Sequence, residues 1–303
     1  MRPRPAFTLI ELLVVVAIVS LLVTLLLPSL ASARRQARGT KCAAQLHVLA
    51  QGLVVYSSTH RDVLVPGRLP KLDDCHWQTE IRGGTKYRPT FLAMMSVSVG
   101  ASPFDVPMPC RTMTDPTGEA GDRQNYAAPI YVCPEVADWT DERNGSYGYN
   151  YQFLGNSRLS DPAVINSFKN WPVSITRIRF PATTVAVADC MGTAATFATH
   201  LRRPYENNAI DPDRFGNEGF NLDPPRVDPV SGEMAGLPDE RTAADPRHRG
   251  RASVQWVDGH ADLQTPHRLG YVTNDDGSVA LDGHNRLWSG SGQDVVWTAA
   301  GAP

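Results

Sequence analysis

The chain has 303 residues, 42% of them hydrophobic, and a formal net charge of −2. That is length and apolar content enough to bury one large core or two small ones. Balanced charge, with no long basic run outside residues 34–41, argues against an extended phosphate-binding surface, so no nucleic-acid partner is expected. Five cysteines, none in a C-x-x-C pair, argue against a zinc ribbon or a thioredoxin-like motif. They leave open two disulfides with one thiol, or five buried thiols.

Residues 7–27 read FTLIELLVVVAIVSLLVTLLL, interrupted only by Thr8, Glu11, Ser20 and Thr24. As a helix this run is about 31 Å long, close to one hydrocarbon core. A cleaved secretory signal has a shorter apolar run, about 7–15 residues, although Ser29-Leu30-Ala31 has the form of its cleavage site. An ordinary anchor accounts for the length but leaves Glu11 unexplained. A carboxylate inside a spanning segment costs roughly 2.5–3.5 kcal/mol on insertion scales and calls for a partner.

The string Arg4-Pro5-Ala6-Phe7-Thr8-Leu9-Ile10-Glu11-Leu12-Leu13 resembles the processing site of type IV prepilins and type II secretion pseudopilins. The resemblance implies a leader at residues 1–6, removed by a prepilin peptidase between Ala6 and Phe7. It also implies N-methylation of Phe7 and pairing of Glu11 with the N-terminal amine of a neighbouring subunit. A cation supplied in trans relieves a buried carboxylate, so the implied role agrees with the physics. Alanine stands at position 6, where the family usually has glycine. Pro28 follows Phe7 by 21 residues, where many of these proteins carry a helix-kinking proline. Arg34, Arg35, Arg38 and Lys41 outnumber Arg2, Arg4 and the N-terminal amine, and a positive-inside count alone would place the C-terminal side in the cytoplasm. The resemblance places it outside, and the leader motif is the more specific signal.

The helical pattern continues past Pro28. Cys42, Leu46, Leu49, Leu53 and Tyr56 form one apolar stripe at spacings of three and four. One helix from about residue 8 to 59 is expected, with residues 7–27 in lipid and residues 28–59 lying on a head. His47 falls on the polar side and reads as solvated. Residues 60–303 form the head. Candidate strands are 129–133, 174–180, 184–188, 252–257 and 293–298. In 252–257, Val254 and Trp256 share one face and Ser253 and Gln255 the other, the alternation of a half-buried antiparallel strand. Residues 201–250 read as a long insertion loop. Asp275-Asp276-Gly277 and Asp282-Gly283 are hairpin candidates. The expected class is α+β: a long N-terminal helix packed on an antiparallel sheet.

Pieces of the head resemble a branch of pilin-like proteins marked by an H-x9-D-G motif, here His248 and Asp258-Gly259. Tyr131-Val132-Cys133-Pro134, Ser146-Tyr147-Gly148-Tyr149-Asn150 and Pro181-Ala182-Thr183-Thr184-Val185, with the last running on to Asp189, belong to the same likeness. Cys42 and Cys133 fall in matching pieces and are the disulfide it implies.

His248, Asp258 and His260 invite a metal reading, but an extended six-residue strand spans about 20 Å and separates the first two. A structural role is therefore expected: a turn at Asp258-Gly259 and a hydrogen bond from His248 to a loop. No metal site is assigned. Calcium remains the candidate ion, through Asp211, Asp213, Asp223 and Asp228 or Asn274, Asp275 and Asp276, without an EF-hand pattern. No G-x-S-x-G, H-E-x-x-H or phosphate-binding glycine loop occurs, and the adjacent Cys75-His76 reads as a surface pair or half a disulfide. The expectation is a non-enzymatic filament subunit in the inner membrane. Its implied partners are the peptidase, other pilin-like subunits, the inner-membrane assembly machinery and lipid. The alternative is a membrane-tethered extracytoplasmic head that binds a ligand such as carbohydrate, or is an enzyme. Trp77, Trp139, Trp171, Trp256, Trp288 and Trp297 are its candidate stacking surfaces.

Overall fold

The structure, a computed structural model, describes residues 8–69, 75–114, 116, 118, 120–121, 123–136, 142, 146–155, 173–192, 195–202, 219–225 and 242–295. Ala6 and Phe7 lie outside the described residues, as do Asp211, Asp213, Asp228, Trp139, Trp171 and Trp297.

Helix α1 runs unbroken over Leu9–Thr59, about 76 Å at 1.5 Å per residue, with Pro28 inside it. Thr8 starts it with a capping box: its hydroxyl accepts from the Glu11 amide, and the Glu11 carboxylate accepts from the Thr8 amide at 2.8 Å. The two halves of α1 differ sharply. Every large apolar side chain from Leu9 to Leu30 is exposed. From Gly39 onward one stripe is buried, including Cys42, Leu46, Leu49 and Leu53. This stripe is the one the spacing predicts. Amides of His60 and Asp62 close the last turn on the carbonyls of Tyr56 and Ser57.

The head holds a four-stranded antiparallel sheet in the order β3 (Tyr147–Tyr149), β4 (Val185–Asp189), β5 (Ala252–Trp256), β6 (Ala261–Gln264). Helix α1 packs across β5 and β6. A small hairpin, β1 (Gln78–Ile81) and β2 (Gly84–Tyr87), precedes short helices α2 (Phe91–Met94) and α3 (Ser96–Val99). Helix α3 lies on α1. A one-turn helix α4 (Tyr151–Leu154) follows β3. A second hairpin, β7 (Tyr271–Thr273) and β8 (Val279–Gly283), follows the sheet. The architecture is α+β and pilin-like: a long apolar helix followed by antiparallel sheets.

Four strand expectations change. Segment 129–133 opens with a 3-10 turn at Pro129–Tyr131, and 174–180 holds one at Ile175–Arg177. Proline fixes the first turn, and the Ser174 hydroxyl caps the second by accepting from the Thr176 amide. Residues 293–295 form no strand, and 296–298 lie outside the described residues. Strand β5 is buried at all five positions rather than half-buried, because β4 and β6 flank it and α1 crosses it. The expected hairpin at 275–277 is the β7–β8 turn, with Gly277 at φ +84°. Asp282-Gly283 instead ends β8. Parts of the 201–250 loop pack inward: Leu222, Ala243 and Ala244 are buried, and the Cys190 backbone pairs with that of Ala244.

Candidate functional site

Two regions carry unsatisfied chemistry. The first is the exposed apolar half of α1. By length and composition it is able to cross a membrane, and none of its apolar window is buried by the head. Glu11 is the acidic residue of its first turn, and its carboxylate bonds both the amide and, at 2.7 Å, the hydroxyl of Thr8. The T-x-x-E signature of this cap is legible at Thr8–Glu11, although a partner in trans is the role the resemblance supplies.

The second region is a buried cluster under the C-terminal half of α1. Cys42 projects from the helix, Cys133 follows the Pro129–Tyr131 turn, Asp189 ends β4, and His248 precedes β5. One ligating atom from each lies within 4.8 Å of all the others. Cys42 Sγ is 3.5 Å from Asp189 Oδ1, Cys133 Sγ is 3.4 Å from His248 Nε2, and His248 Nε2 is 3.2 Å from Asp189 Oδ2. All four residues are buried.

A polar frame holds the cluster. The Ser253 amide donates to Asp189 Oδ2 at 2.7 Å, and the Cys133 amide donates to Ser146 Oγ at 2.8 Å. Tyr147 Oη lies 3.4 Å from Cys42 Sγ and donates to Gln45 Oε1. Arg247 donates to the Cys190 carbonyl and pairs with Asp245 at 2.9 Å. Burial pushes the His248 imidazole down, but the hydrogen bonds to Asp189 and Cys133 outweigh it and take the group up to about 10. The bond from Cys42 holds the Cys133 thiol below the usual thiol range, while the same bond and burial push Cys42 above it. Burial raises Asp189, yet Arg247 and His248 keep its carboxyl low.

The structure therefore corrects the disulfide. Cys42, Cys133 and Cys190 are free buried thiols, and the bridge joins Cys75 to Cys110 across 35 residues. Cys75 is thus half of a disulfide, one of its two expected readings. His248 and Asp258 lie on opposite sides of β5, as the strand length requires. Asp258 bonds His260 Nδ1 at 2.6 Å, and Gly259 makes the expected turn at φ +98°. A Cβ on Gly259 would meet Val54 of α1 at 3.3 Å, so this turn is seated against the helix. His248 bonds a neighbouring loop as expected, through the Cys133 thiol, and also reaches Asp189 at the end of β4. Asp189, read only as the end of a matching piece, is the unforeseen member. Its partners lie 147 and 59 residues away in sequence, and no local pattern joins them.

Among the described residues, the calcium candidates do not gather. Asp223 accepts from the Thr242 amide and hydroxyl, and Asp276 accepts from Ser278 within the β7–β8 turn. Trp256 and Trp288 are core residues. Trp77 borders a cleft of about 820 Å³ with Tyr56, His60, Leu69, Glu80 and Met94.

Residues 1–27 match the family described as the prokaryotic N-terminal methylation motif. The match supports a prepilin-type, peptidase-processed, pilin-like protein, and with the apolar helix it is consistent with membrane anchoring. Neither the curated proteins nor the solved structures hold a match to the chain.

Proposed function

We propose that this protein is a structural, non-enzymatic subunit of a type IV pilus-like or type II secretion pseudopilus-like filament. Prepilin peptidase removes residues 1–6, Phe7 is methylated, and the subunit waits in the inner membrane with its head on the extracytoplasmic side. Assembly machinery then moves it into the filament. The observation that carries this reading is the division of α1: one continuous helix is buried in the head over its second half and bare and apolar over its first. A bare apolar half of this length suits lipid before assembly and the packed helices of sister subunits afterwards. The disulfide Cys75–Cys110 is in keeping with a head outside the cytoplasm. Glu11 keeps its cap on Thr8 and receives the N-terminal amine of a neighbour, since a carboxylate has room for several donors.

The test is the mature N-terminus. Mass spectrometry of protein recovered from membranes is expected to give N-methyl-Phe7. A start near Ser32, or an uncut Met1, would overturn the reading. The second reading is a tethered head that binds a ligand such as carbohydrate, or acts as an enzyme, and the Trp77 cleft favours it. An intact N-terminus together with glycan binding lost on Trp77→Ala would select that alternative.

A further inference from the structure

We propose that Cys42, Cys133, Asp189 and His248 are the four ligands of a closed structural zinc site that fastens α1 to the head. Zinc in such sites is tetrahedral, with bonds of about 2.3 Å to sulfur and 2.0–2.2 Å to nitrogen and oxygen, so neighbouring ligand atoms sit about 3.3–3.8 Å apart. Three separations here are 3.5, 3.4 and 3.2 Å, the first to Asp189 Oδ1 and the last to Oδ2, and one ligand atom from each of the four residues lies within 4.8 Å of the others. Two thiolates with an imidazole select zinc over calcium or magnesium, which want six or more oxygens.

The protons argue the same way. His248 Nε2 faces both Cys133 Sγ and Asp189 Oδ2, and one N–H serves only one acceptor well. A Cys-His-Asp catalytic array would place the carboxylate on the other ring nitrogen. Here Nδ1 is buried without a hydrogen-bond partner and faces Gly39. One donor atom from each of the four residues lies within 4.8 Å of the others, and all four residues are buried, which suits an ion and not a substrate.

The charge of the loaded site also balances. Zinc with two thiolates, one carboxylate and a neutral imidazole leaves a single negative charge. The buried guanidinium of Arg247, whose field also reaches Asp189 and Cys133, offsets it. Binding sends the proton of Cys42 and the proton shared at Nε2 to solvent, with no redox change. The ion would tie the helix to β4 and to the segments before β3 and β5. The site does not depend on the filament reading and serves equally in a tethered head.

Metal analysis of full-length protein, extracted in detergent without chelators, is expected to find about one zinc per chain. Cys42→Ser and His248→Ala should lose it, and Cys190→Ser, a buried thiol outside the cluster, should keep it. Alkylation after unfolding in chelator should label Cys42, Cys133 and Cys190 alike. If a variant fails to fold, the wild type still decides: stripped protein given cobalt(II) alone should show thiolate charge-transfer and the strong visible bands of a tetrahedral ion. Recovery of a Cys42–Cys133 disulfide peptide would overturn the proposal. So would free thiols that take up neither zinc nor cobalt.

Discussion

Glu11 has two tasks that different substitutions separate. Its carboxylate caps α1 through Thr8, and in the filament reading its charge also meets a neighbour's amine. Glutamine keeps a capping acceptor but no charge. Glu11→Gln is therefore expected to insert normally and to assemble poorly, while Glu11→Ala also loses the bond that the Glu11 carboxylate accepts from the Thr8 amide. Filament yield against membrane content, measured for both variants, checks this; full assembly of Glu11→Gln would remove the charge from the mechanism. Lys86 and Glu142 pose a different case. They pair at 3.0 Å with both side chains fully buried. Nothing in the sequence around Lys86 marks it as interior, since lysine on a short strand normally points to water. Glu142→Ala takes the carboxylate from a buried ammonium that keeps its bonds to the Tyr87 and Gly121 carbonyls, and should cost about 3 kcal/mol. Replacing both residues with apolar ones of similar volume should cost far less. Thermal unfolding of the single and double variants in detergent reads the difference.

Helix α1 was legible almost to the residue because its evidence is local: an uninterrupted apolar run, then a stripe at helical spacing. Its contact with α3 was not legible. A Cβ on Gly52 would lie 2.5 Å from Cγ2 of Val99, so glycine there lets the two helices touch. Gly52→Leu should push α3 away and cost about 1–3 kcal/mol by overpacking. Increased proteolysis near residues 96–100 with α1 still helical would mark that outcome. The strands divide the same way. The β7–β8 hairpin shows in sequence because Asp276 and Gly277 make its turn locally. Segments 129–133 and 174–180 are apolar and β-branched enough to imitate strands, yet proline and a serine cap turn them into 3-10 geometry. Strand β3 is only three residues long, too short for any periodicity to register.

The whole molecule is a rod with a head clamped along half its length. Cys75–Cys110 closes a loop on that head, and a loop of this size constrains the unfolded chain by about 3–4 kcal/mol. Cys75→Ser with Cys110→Ser should lower the unfolding free energy by that amount and leave membrane insertion unchanged; denaturation with and without reductant tests it. The sequence by itself determined the apolar span, the methylation-motif likeness of residues 1–27, the course of α1 and the α+β class. Each of these depends on residues within one or two helical turns or strand lengths of each other. Only the tertiary structure decided which cysteines pair and where His248 points. It alone brought Asp189 to Cys42 across 147 positions. The physical reason is that such contacts arise when α1, β4 and the segment before β5 pack around one core. No spacing along the chain encodes distances set by that packing.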